Sequence, residues 1–375
     1  KHFVFINSTY QGGGVAEMLN SMVPLLNKEG LKLGWRILHG YADFFNITKS
    51  IHNALQGDAV HLSSRKKELY EAVNKRFSLF THLDHDLVVV HDPQPLPLIK
   101  YYAKKQPWLL RLHIDLSTPF QEVWKYLVPM INKYDGLVIS AKEYYNSDLK
   151  LPYHIVMPAI DPLSIKNKSL RSKKISKYLE RYGIPQDKPI ISQISRFDKW
   201  KDPVGVIKIF ESVRRKKEAT LVLLGSFASD DPEGQQVYNQ VIKVANKSKY
   251  AEDIKVLAVN SDILVNAVQR SSEVVIQKSL REGFGLVVSE AMYKKKPVVG
   301  SNVRGIALQI QEGYNGYLCS PQNYGCFSKK IQMLLENEEL RSTLGNNAYN
   351  TVIDKFLITR LIDEWLDLFI RYLSL

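Results

Sequence analysis

Cysteine is almost absent from this 375-residue chain and occurs only at Cys319 and Cys326. The two residues form neither a C-x-x-C pair nor a cluster with histidines at metal-ligand spacing. Domains held together by disulfides and zinc domains both need such patterns, so the sequence indicates neither. We therefore expect both cysteines to be reduced thiols without a role in function.

Long apolar runs are absent as well. No stretch approaches the ~20 consecutive apolar residues that a membrane-spanning helix needs. The first residues also lack the order of charged, apolar and small residues that marks a secretory signal. These absences predict a cytoplasmic protein with no transmembrane segment. Because the chain begins with Lys1 rather than Met, we leave open that further residues precede it.

Acidic residues are outnumbered, because 38 Asp and Glu stand against 51 Lys and Arg and leave a formal net charge of +13. Such an excess raises the question of nucleic-acid binding. The basic residues are scattered or lie in short runs such as RSKKISK, without interleaved aromatic residues and without a helix-turn-helix or zinc signature. We expect no nucleic-acid partner, although part of the charge could serve an anionic substrate such as a phosphate ester.

Apolar, β-branched runs alternate with segments of helical periodicity along the whole chain. This alternation is typical of parallel sheets built from right-handed βαβ units, and two successive sets predict an α/β protein with two doubly wound Rossmann-like domains. A basic stretch with two prolines, at 157–170, separates the sets. The predicted strands are FVFIN, WRIL, LVVVH, WLLRLH, GLVIS and HIVMP in the first set, and IISQISR, TLVLLG, IKVLAV, EVVIQ and PVVG in the second.

Three consecutive glycines follow the first predicted strand, in the sequence NSTYQGGGVAE. Gly12, Gly13 and Gly14 lead into the first helix, where backbone N–H groups can approach an anion. Their spacing is not the dinucleotide fingerprint G-x-G-x-x-G. A flexible turn without a ligand explains these glycines equally well when they are considered alone.

Two loops of the second set carry charged residues directly after a strand. SRFDKWKD contains Arg196 and Lys201, a pair suited to adjacent phosphates, although two surface cations beside a packed Trp200 are the simpler interpretation. In REGFGLVVSEA a glycine-rich turn and a helix separate Glu282 from Glu290 by eight residues, or roughly 2.2 helical turns, so both carboxylates are expected on one face. Doubly wound domains bind ligands at the carboxyl ends of their strands, and we expect both loops to border a cleft between the domains.

The chain is similar to the retaining glycosyltransferases of GT-B fold in family 4. The resemblance rests on the E-x(7)-E pattern of Glu282 and Glu290 together with SRFDKWKD and GGGVAE. It implies an acceptor-side domain at 1–157, a nucleotide-sugar-binding domain at 158–355 and a helix at 356–375 that crosses back to the first domain. A narrower resemblance to the trehalose glycosyltransferring synthases covers nearly the whole chain and rests on DFFNITKSIHNALQG, VHDPQPLPLI, LRLHIDLSTP, VMPAIDPLS and DDPEG.

This resemblance implies the transfer of glucose from a nucleoside diphosphate glucose to free glucose, giving trehalose with retained anomeric configuration. Arg196 and Lys201 would neutralise the diphosphate leaving group. Glu282 would hold hydroxyls of the donor glucose, Glu290 would hold the ribose, and His113 would lie beside the reacting glucose. The implied residues are catalytic Arg196, Lys201, Glu282 and His113, donor-binding Gly13, Gly14, Phe284, Gly285, Leu286 and Glu290, and acceptor-binding Asn46, Lys49, His52, Asp92 and Asp115.

Cofactor and partner predictions follow from the same resemblance. We expect no tightly bound cofactor, leave a stimulatory divalent metal open, and expect nucleoside diphosphate glucose and glucose as partners, with a homodimer left open. The D-x-D-like sequence at 84–86 precedes a strand, and we interpret it as chance. For His113, a structural role is the commoner one for a lone histidine after a strand, and His91 competes with it.

The nucleoside base and two alternative functions stay open. Segment 258–272 is shorter than its counterpart in the family and would form a loop near the nucleoside, so UDP, ADP and GDP are not distinguished. An enzyme of the same fold could use another acceptor, such as a glycerol derivative, a sugar phosphate or a lipid head group. A nucleotide-sugar-binding protein without turnover is the second alternative function, and the intact Arg196, Lys201 and Glu282 argue against it.

Overall fold

The computed structural model describes residues 1–11, 13–226 and 233–374. Gly12 of the glycine turn and most of the DDPEG block therefore lie outside the described residues. The chain divides into two compact units, of which the first contains Lys1–Pro158 and Thr359–Leu375 and the second contains Ala159–Ala228 and Glu233–Ile358. Within the described ranges, no helix is long and apolar enough to cross a membrane.

The first unit is built on a six-stranded, all-parallel sheet. Its central strands are mostly apolar and fully buried, as expected for strands covered on both faces by helices. The strands are β1 (His2–Asn7), β2 (Lys32–Ile37), β3 (Leu87–His91), β4 (Trp108–Arg111), β5 (Gly136–Ile139) and β6 (Tyr153–Ile155), and the helices are α1 (Gly14–Lys28), α2 (Ala42–Leu55), α3 (Ser64–Phe80) and α4 (Gln121–Ile131).

The second unit repeats this architecture with its own six-stranded parallel sheet and its own apolar core. Its strands are β7 (Ile190–Ile194), β8 (Thr220–Gly225), β9 (Ile254–Ala258), β10 (Ser272–Gln277), β11 (Val298–Ser301) and β12 (Gly316–Cys319). Its helices are α5 (Ser172–Arg181), α6 (Pro203–Arg214), α7 (Gly234–Lys247), α8 (Asp262–Ser271), α9 (Leu286–Tyr293), α10 (Arg304–Ala307), α11 (Tyr324–Glu336) and α12 (Glu338–Lys355).

The order of the strands fixes one position in each sheet where the chain reverses its direction of winding. The first sheet has the order β2-β1-β3-β4-β5-β6, and the second has the order β12-β11-β10-β7-β8-β9. The reversal lies between β1 and β3 in the first unit and between β10 and β7 in the second. The loops that follow these strands separate there, and open α/β sheets bind their ligands at such points.

The last helix, α13 (Ile358–Leu373), packs on the first unit. The ring of Phe369 stacks on Phe3 at 4.5 Å, and the hydroxyl of Tyr372 lies 2.8 Å from Nε2 of His154. A side chain at Gly136 would collide with that hydroxyl, so the absence of a Cβ in β5 makes room for the helix. The wide apolar stripe of α13 is thereby covered.

The cysteines contradict the prediction of two free thiols, because Cys319 and Cys326 form a disulfide. Cys319 ends β12 and Cys326 lies in the first turn of α11, which places their Cα atoms 5.9 Å apart, within the range a disulfide spans. This pairing could not be predicted from the sequence because β12 itself was not predicted. Without that strand the turn between the two cysteines has no defined geometry.

Segment 258–272 also differs from the prediction of a loop. Only three residues, 259–261, connect β9 to α8, which extends over Asp262–Ser271, and the two end residues of the segment belong to β9 and β10. Ser261 caps the helix by accepting a hydrogen bond from the N–H of Leu264 at 3.3 Å, a typical N-terminal signal. The apolar residues of α8 pack into a core cluster with α5, which explains why the segment is helical.

Candidate active site

In the second unit, the loops after β7 and β10 lie at the reversal point of the sheet and carry the predicted charged residues. The loop after β7 contains Arg196 and Lys201, and the loop after β10 contains Glu282. Gln193 connects the two loops, since its side chain donates to the carbonyl of Lys201 at 2.9 Å and accepts from the N–H of Lys278 at 2.9 Å. These two hydrogen bonds of Gln193 fix the two loops relative to each other.

Lys201 and Glu282 form an ion pair at the centre of this structure. Both side chains are largely buried, at 16% and 9% exposure, so the pair is poorly screened by solvent. The carboxylate also accepts from the hydroxyl of Ser279 at 3.2 Å and from the amide of Gln277 at 3.4 Å. Lys201 has three donor hydrogens and can therefore bind a phosphate oxygen while it remains close to Glu282.

Arg196 lies at the start of the same loop, and its guanidinium is 3.9 Å from the carboxylate of Asp198. Asp198 is buried and accepts from the N–H of Trp200 at 2.8 Å, which fixes the turn that precedes Lys201. The predicted basic pair is thus brought to one loop. Each cation has an acidic neighbour, and this arrangement keeps the positive charges close together without leaving them uncompensated.

A second ion pair supports the first. Lys278 is fully buried and pairs with Asp202, which also caps α6 by accepting from the N–H of Gly205 at 3.0 Å. The hydroxyl of Tyr324 donates to Asp202 at 3.3 Å, and the Lys278 ammonium lies 4.8 Å from the centre of the Tyr324 ring. Asp202 directly follows Lys201, so these contacts fix the position of the catalytic candidate.

The glycine turn before α9 supplies main-chain donors. Gly285 caps α9 with a positive φ of 83°, a conformation that favours glycine, and it has no side chain to occupy the helix N-terminus. The side-chain amide of Gln309 fixes the turn by donating to the carbonyl of Phe284 at 2.6 Å. The N–H groups of Phe284, Gly285 and Leu286 therefore belong to a rigid turn at a helix N-terminus, where anions are favoured.

Glu290 lies in the middle of α9 and is 1% exposed. One carboxylate oxygen accepts from the amide of Gln269 at 3.1 Å, and the other lies 3.6 Å from the ammonium of Lys166. Its partners differ from those of Glu282, so the two glutamates occupy separate positions. A buried, compensated carboxylate is suited to accept hydrogen bonds from neutral hydroxyl groups.

In the first unit, the reversal point lies between the loops after β1 and β3. Gly13 has a positive φ of 110° and precedes α1, which starts at Gly14, so the two predicted glycines form the helix N-terminus. His91 ends β3 and Asp92 follows it with a φ of 65°, an uncommon conformation for a residue other than glycine. Such strain is found most often at functional sites.

His113, which follows β4, contacts both His91 and Asp92. Its main-chain N–H donates to the carboxylate of Asp92 at 2.9 Å, and its Nε2 is 3.2 Å from Nδ1 of His91. The two imidazole rings stack with their centres 5.5 Å apart. The predicted residues His113 and Asp92 thus lie together, and His91, the competing candidate, is the direct neighbour of His113.

Both histidines are held in the neutral form. Burial, followed by the nearby charge of Arg111, lowers the pKa of His91 to about 3 and also lowers the pKa of His113 well below its usual value. Burial likewise lowers the pKa of the Arg111 guanidinium to about 10, so that group stays charged at neutral pH. Its Nη2 donates to the hydroxyl of Ser140 at 3.0 Å. Neutral His113 can donate or accept a hydrogen bond without introducing charge.

These residues line a small cavity in the first unit. His91, Arg111 and His113 form its polar part, and the remaining wall is apolar and includes Met18 of α1 and Trp365 of α13. The cavity has room for roughly one water molecule, which is too small for a sugar.

The remaining acceptor-binding candidates lie on α2 and in the loop after β4. Asn46, Lys49 and His52 are all on α2, where Asn46 is exposed and Lys49 is buried. Asp115 accepts from the N–H of Ser117 at 2.9 Å and shapes the loop after β4. An acceptor role stays a prediction for the three residues of α2 and for Asp115.

The D-x-D-like sequence at 84–86 lies at the amino end of β3, the opposite end from His91. Asp86 accepts from the N–H of His2 at 2.6 Å and pairs with the ammonium of Lys1. Its contacts join β1 to β3 and give Asp86 a structural role.

Several residues around the second unit's charges were missed by sequence reasoning. Lys278 and Asp202 had detectable signals, since Lys278 directly follows an apolar strand and an Asp before Pro is typical of a helix N-cap. The remaining missed residues had no such signal, because their roles depend on contacts between distant segments. They are Lys166, Gln193, Gln269, Gln277, Ser279, Gln309 and Tyr324.

Comparison with known proteins identifies the family of the chain. Residues 5–146 match the family described as trehalose synthase, N-terminal domain, and residues 174–351 match glycosyl transferases group 1. The chain is 43% identical to a trehalose synthase of Thermococcus litoralis over 375 residues, covering 98% of this chain and 90% of that protein. The chain belongs to the trehalose synthase family. A trehalose synthase of Rubrobacter xylanophilus is 40% identical, with 98% and 90% covered.

Solved structures identify the fold of this family member. An α,α-trehalose-phosphate synthase (UDP-forming) from Burkholderia xenovorans, in complex with glucose-6-phosphate, superposes with a TM-score of 0.79 at 13% identity, covering 98% of this chain and 100% of that one. At such low identity the likeness concerns the fold alone. With its two six-stranded parallel sheets, the chain is a glycosyltransferase of GT-B fold.

Proposed function

We propose that the protein transfers glucose from a nucleoside diphosphate glucose to free glucose, with retention at the anomeric carbon, and so forms trehalose. The observation that carries the proposal is the ion-paired loop structure of Arg196, Lys201 and Glu282 at the reversal point of the second sheet. It occurs in a chain of the trehalose synthase family. A diphosphate needs clustered cations, and a sugar needs a carboxylate beside them.

In this proposal the second unit binds the donor. Lys201 and Arg196 stabilise the negative charge that grows on the diphosphate as the glycosidic bond breaks, and the N–H groups of the turn at Gly285 bind the same phosphates. Glu282 accepts hydrogen bonds from glucose hydroxyls, and Glu290 accepts them from the ribose. The charges are already fixed by Asp198 and Asp202, so little reorganisation accompanies the reaction.

Glu282 and Glu290 do not act as an acid and nucleophile pair in this account. A sugar diphosphate leaves without protonation by an enzyme acid, unlike the leaving group of a glycoside, so the two-carboxylate scheme of glycosidases does not apply. The bond from the anomeric carbon to the diphosphate oxygen breaks, and the acceptor hydroxyl attacks from the same face. Its proton passes to the departing phosphate oxygen, which balances the transfer.

His113 has a different role. A neutral imidazole beside the reacting glucose supplies a hydrogen bond and avoids placing a positive charge next to an oxocarbenium-like carbon. Its lowered pKa, caused first by burial and then by Arg111 and His91, supports this role. The hydrogen bond from its main chain to Asp92 fixes where the ring lies.

The test is incubation of the purified protein with glucose and, separately, UDP-, ADP- and GDP-glucose, followed by chromatographic identification of the sugar product. We expect one donor to give a non-reducing glucose disaccharide. Parallel reactions with glycerol and glucose 6-phosphate as acceptors test the alternative acceptors. Release of free glucose alone, or a product formed only with another acceptor, would contradict the proposal.

A further inference from the structure

Residues 161–168, which enter the second unit before α5, form a segment outside the regular helices and strands. Two residues of α8 hold its main chain. The amide of Asn266 donates to the carbonyls of Ile165 and Lys168 at 2.9 and 2.8 Å, and the guanidinium of Arg270 donates to the carbonyl of Asn167 at 2.9 Å. The segment is therefore fixed against α8 through its backbone.

A third anchor comes from α9. The ammonium of Lys294 donates to the side-chain oxygen of Asn167 at 2.8 Å and to the main-chain carbonyl of Glu290 at 3.2 Å. Lys294 therefore connects the segment to the backbone of the helix that carries Glu290. These three anchors hold the segment in place without using the side chain of Lys166.

Lys166 makes a contact of a different kind. Its ammonium lies 3.6 Å from one carboxylate oxygen of Glu290, and the two side chains are 17% and 1% exposed. Gln269 supplies a neutral donor to the other oxygen. A carboxylate this deeply buried is costly unless a cation compensates it, and Lys166 is a cation that pairs with this group.

We propose that Lys166 is a positioning residue for nucleotide recognition: it holds the Glu290 carboxylate charged and oriented so that it can accept hydrogen bonds from the ribose hydroxyls. The inference deepens the proposed function and rests on it, since the ribose contact is part of that proposal. Lys166 acts through Glu290 and contacts neither the transferred glucose nor the acceptor in this account.

The physical reason is the behaviour of a buried carboxylate that loses its counter-charge. It relieves the cost either by taking up a proton or by turning away from its site. In both cases it accepts hydrogen bonds from vicinal hydroxyls less well. Loss of Lys166 should therefore weaken recognition of the ribose and leave recognition of the diphosphate, which depends on Lys201 and Arg196, largely intact.

The test compares two ligands by calorimetric titration: whichever of UDP, ADP and GDP binds most tightly, and its 2′,3′-dideoxy form. The native protein should prefer the ribose form by roughly ten- to a hundredfold, the range expected for hydrogen bonds to a charged group. In Lys166→Met this preference should fall to within about threefold, because binding of the ribose form drops to the level of the dideoxy form. Lys166→Arg keeps the charge and should keep most of the preference.

Lys168→Met is the matched control, because Lys168 lies on the same segment with its side chain exposed and should leave the preference unchanged. A merely structural role for Lys166 would lower the melting temperature and weaken both ligands equally, which leaves their ratio at the native value. Lys166→Gln is a smaller change that also removes the charge. It keeps the test decisive if the methionine variant does not fold.

The possible results distinguish the positioning role of Lys166 from the ribose contact of Glu290. If the native protein and Lys166→Met share the same preference for the ribose form, the positioning role is wrong while the ribose contact stands. If the native protein shows no preference, Glu290 is not a ribose ligand and both proposals fail at this point. A collapsed preference in Lys166→Met and Lys166→Gln, with Lys166→Arg and Lys168→Met near native, supports the inference.

Discussion

The two units place very different chemistry at the equivalent position of their sheets. In the second unit the loops after β7 and β10 carry charges of both signs, paired as Lys201 with Glu282 and Lys278 with Asp202. In the first unit the neutral imidazoles of His91, at the end of β3, and His113, after β4, lie next to a buried Arg111. The same architecture thus supports one site built from ion pairs and another centred on neutral histidines.

This difference follows from what each site must bind in the proposed reaction. A diphosphate requires fixed positive charge, and carboxylates placed beside the cations limit the cost of burying them. A sugar ring that becomes electron-poor is better accompanied by neutral donors and acceptors. The comparison predicts that charge removal affects catalysis through the second unit and that pH affects stability through the first.

The largest effect should come from the central charge of the second unit. Lys201→Ala should lower kcat by about 10²–10³-fold, the cost of losing one donor to a developing negative charge, and should weaken nucleoside diphosphate binding much less. Steady-state kinetics at saturating glucose measure kcat, and titration measures binding.

Lys199→Ala is the control for this change, since Lys199 lies two residues away with an exposed side chain over the Trp200 ring. It should retain near-native kcat. Circular dichroism must show both variants folded. A near-native kcat in Lys201→Ala would mean that the loop is a solvated basic turn, and the contrast between the units would lose its functional meaning.

The next effect concerns binding rather than rate. Glu290→Ala removes a contact that is equal in the ground and transition states, so the donor KM should rise roughly ten- to a hundredfold with a smaller loss of kcat. Initial rates over a range of donor concentrations measure this. A fall in kcat with an unchanged KM would place Glu290 at the reacting centre and would contradict the ribose assignment.

The disulfide should make a moderate contribution to the stability of the second unit. It closes a short loop between β12 and α11, so Cys319→Ala with Cys326→Ala should lower the free energy of unfolding by about 2 kcal/mol. Chemical denaturation measures the change, and reduction of the native protein should reproduce it. If reduction leaves the native protein unchanged, the bond contributes nothing to stability, and the charged site does not depend on it.

The effect that is smallest near neutral pH is a pH dependence in the first unit. Because burial lowers the pKa of His91 to about 3, the unfolded chain binds more protons than the folded one below an unfolded pKa of ~6.5. Stability should therefore fall as the pH drops from ~6.5 toward 3, with His91 contributing up to about 1.4 kcal/mol per pH unit.

Denaturation midpoints of the native protein and His91→Phe at several pH values measure this contribution. The phenylalanine keeps an aromatic ring against Phe5 but cannot titrate. Its stability should depend less steeply on pH in the acid range. Equal slopes for the two proteins would show that His91 is not held neutral by the fold.

The fold was largely predictable because its signals are local. Runs such as LVVVH and TLVLLG are apolar, β-branched and bounded by turns, and the structure forms strands at both. β12 was missed because GYLC has four residues, begins with glycine and lies at the sheet edge. The disulfide was missed with it, since the pairing depends on where that strand ends.

The candidate site was predictable only in part. Lys201, Glu282 and Glu290 stand in a recognisable pattern, and the structure does pair the first two. The residues that fix them, such as Gln193 and Lys166, come from segments distant in sequence. Neither composition nor spacing encodes such contacts, because any polar residue at those positions has the same local signal.

The central claim is transfer of glucose to glucose with retention, and the product of a labelled donor tests it most directly. The protein is incubated with its preferred nucleoside diphosphate [1-¹³C]glucose and unlabelled glucose, and the product is observed by NMR. We predict a 1,1-linked disaccharide with the label in one ring and the small H1–H2 coupling of an α-glucoside at the labelled carbon. A β-configured product, or label found only in free glucose, would contradict the account.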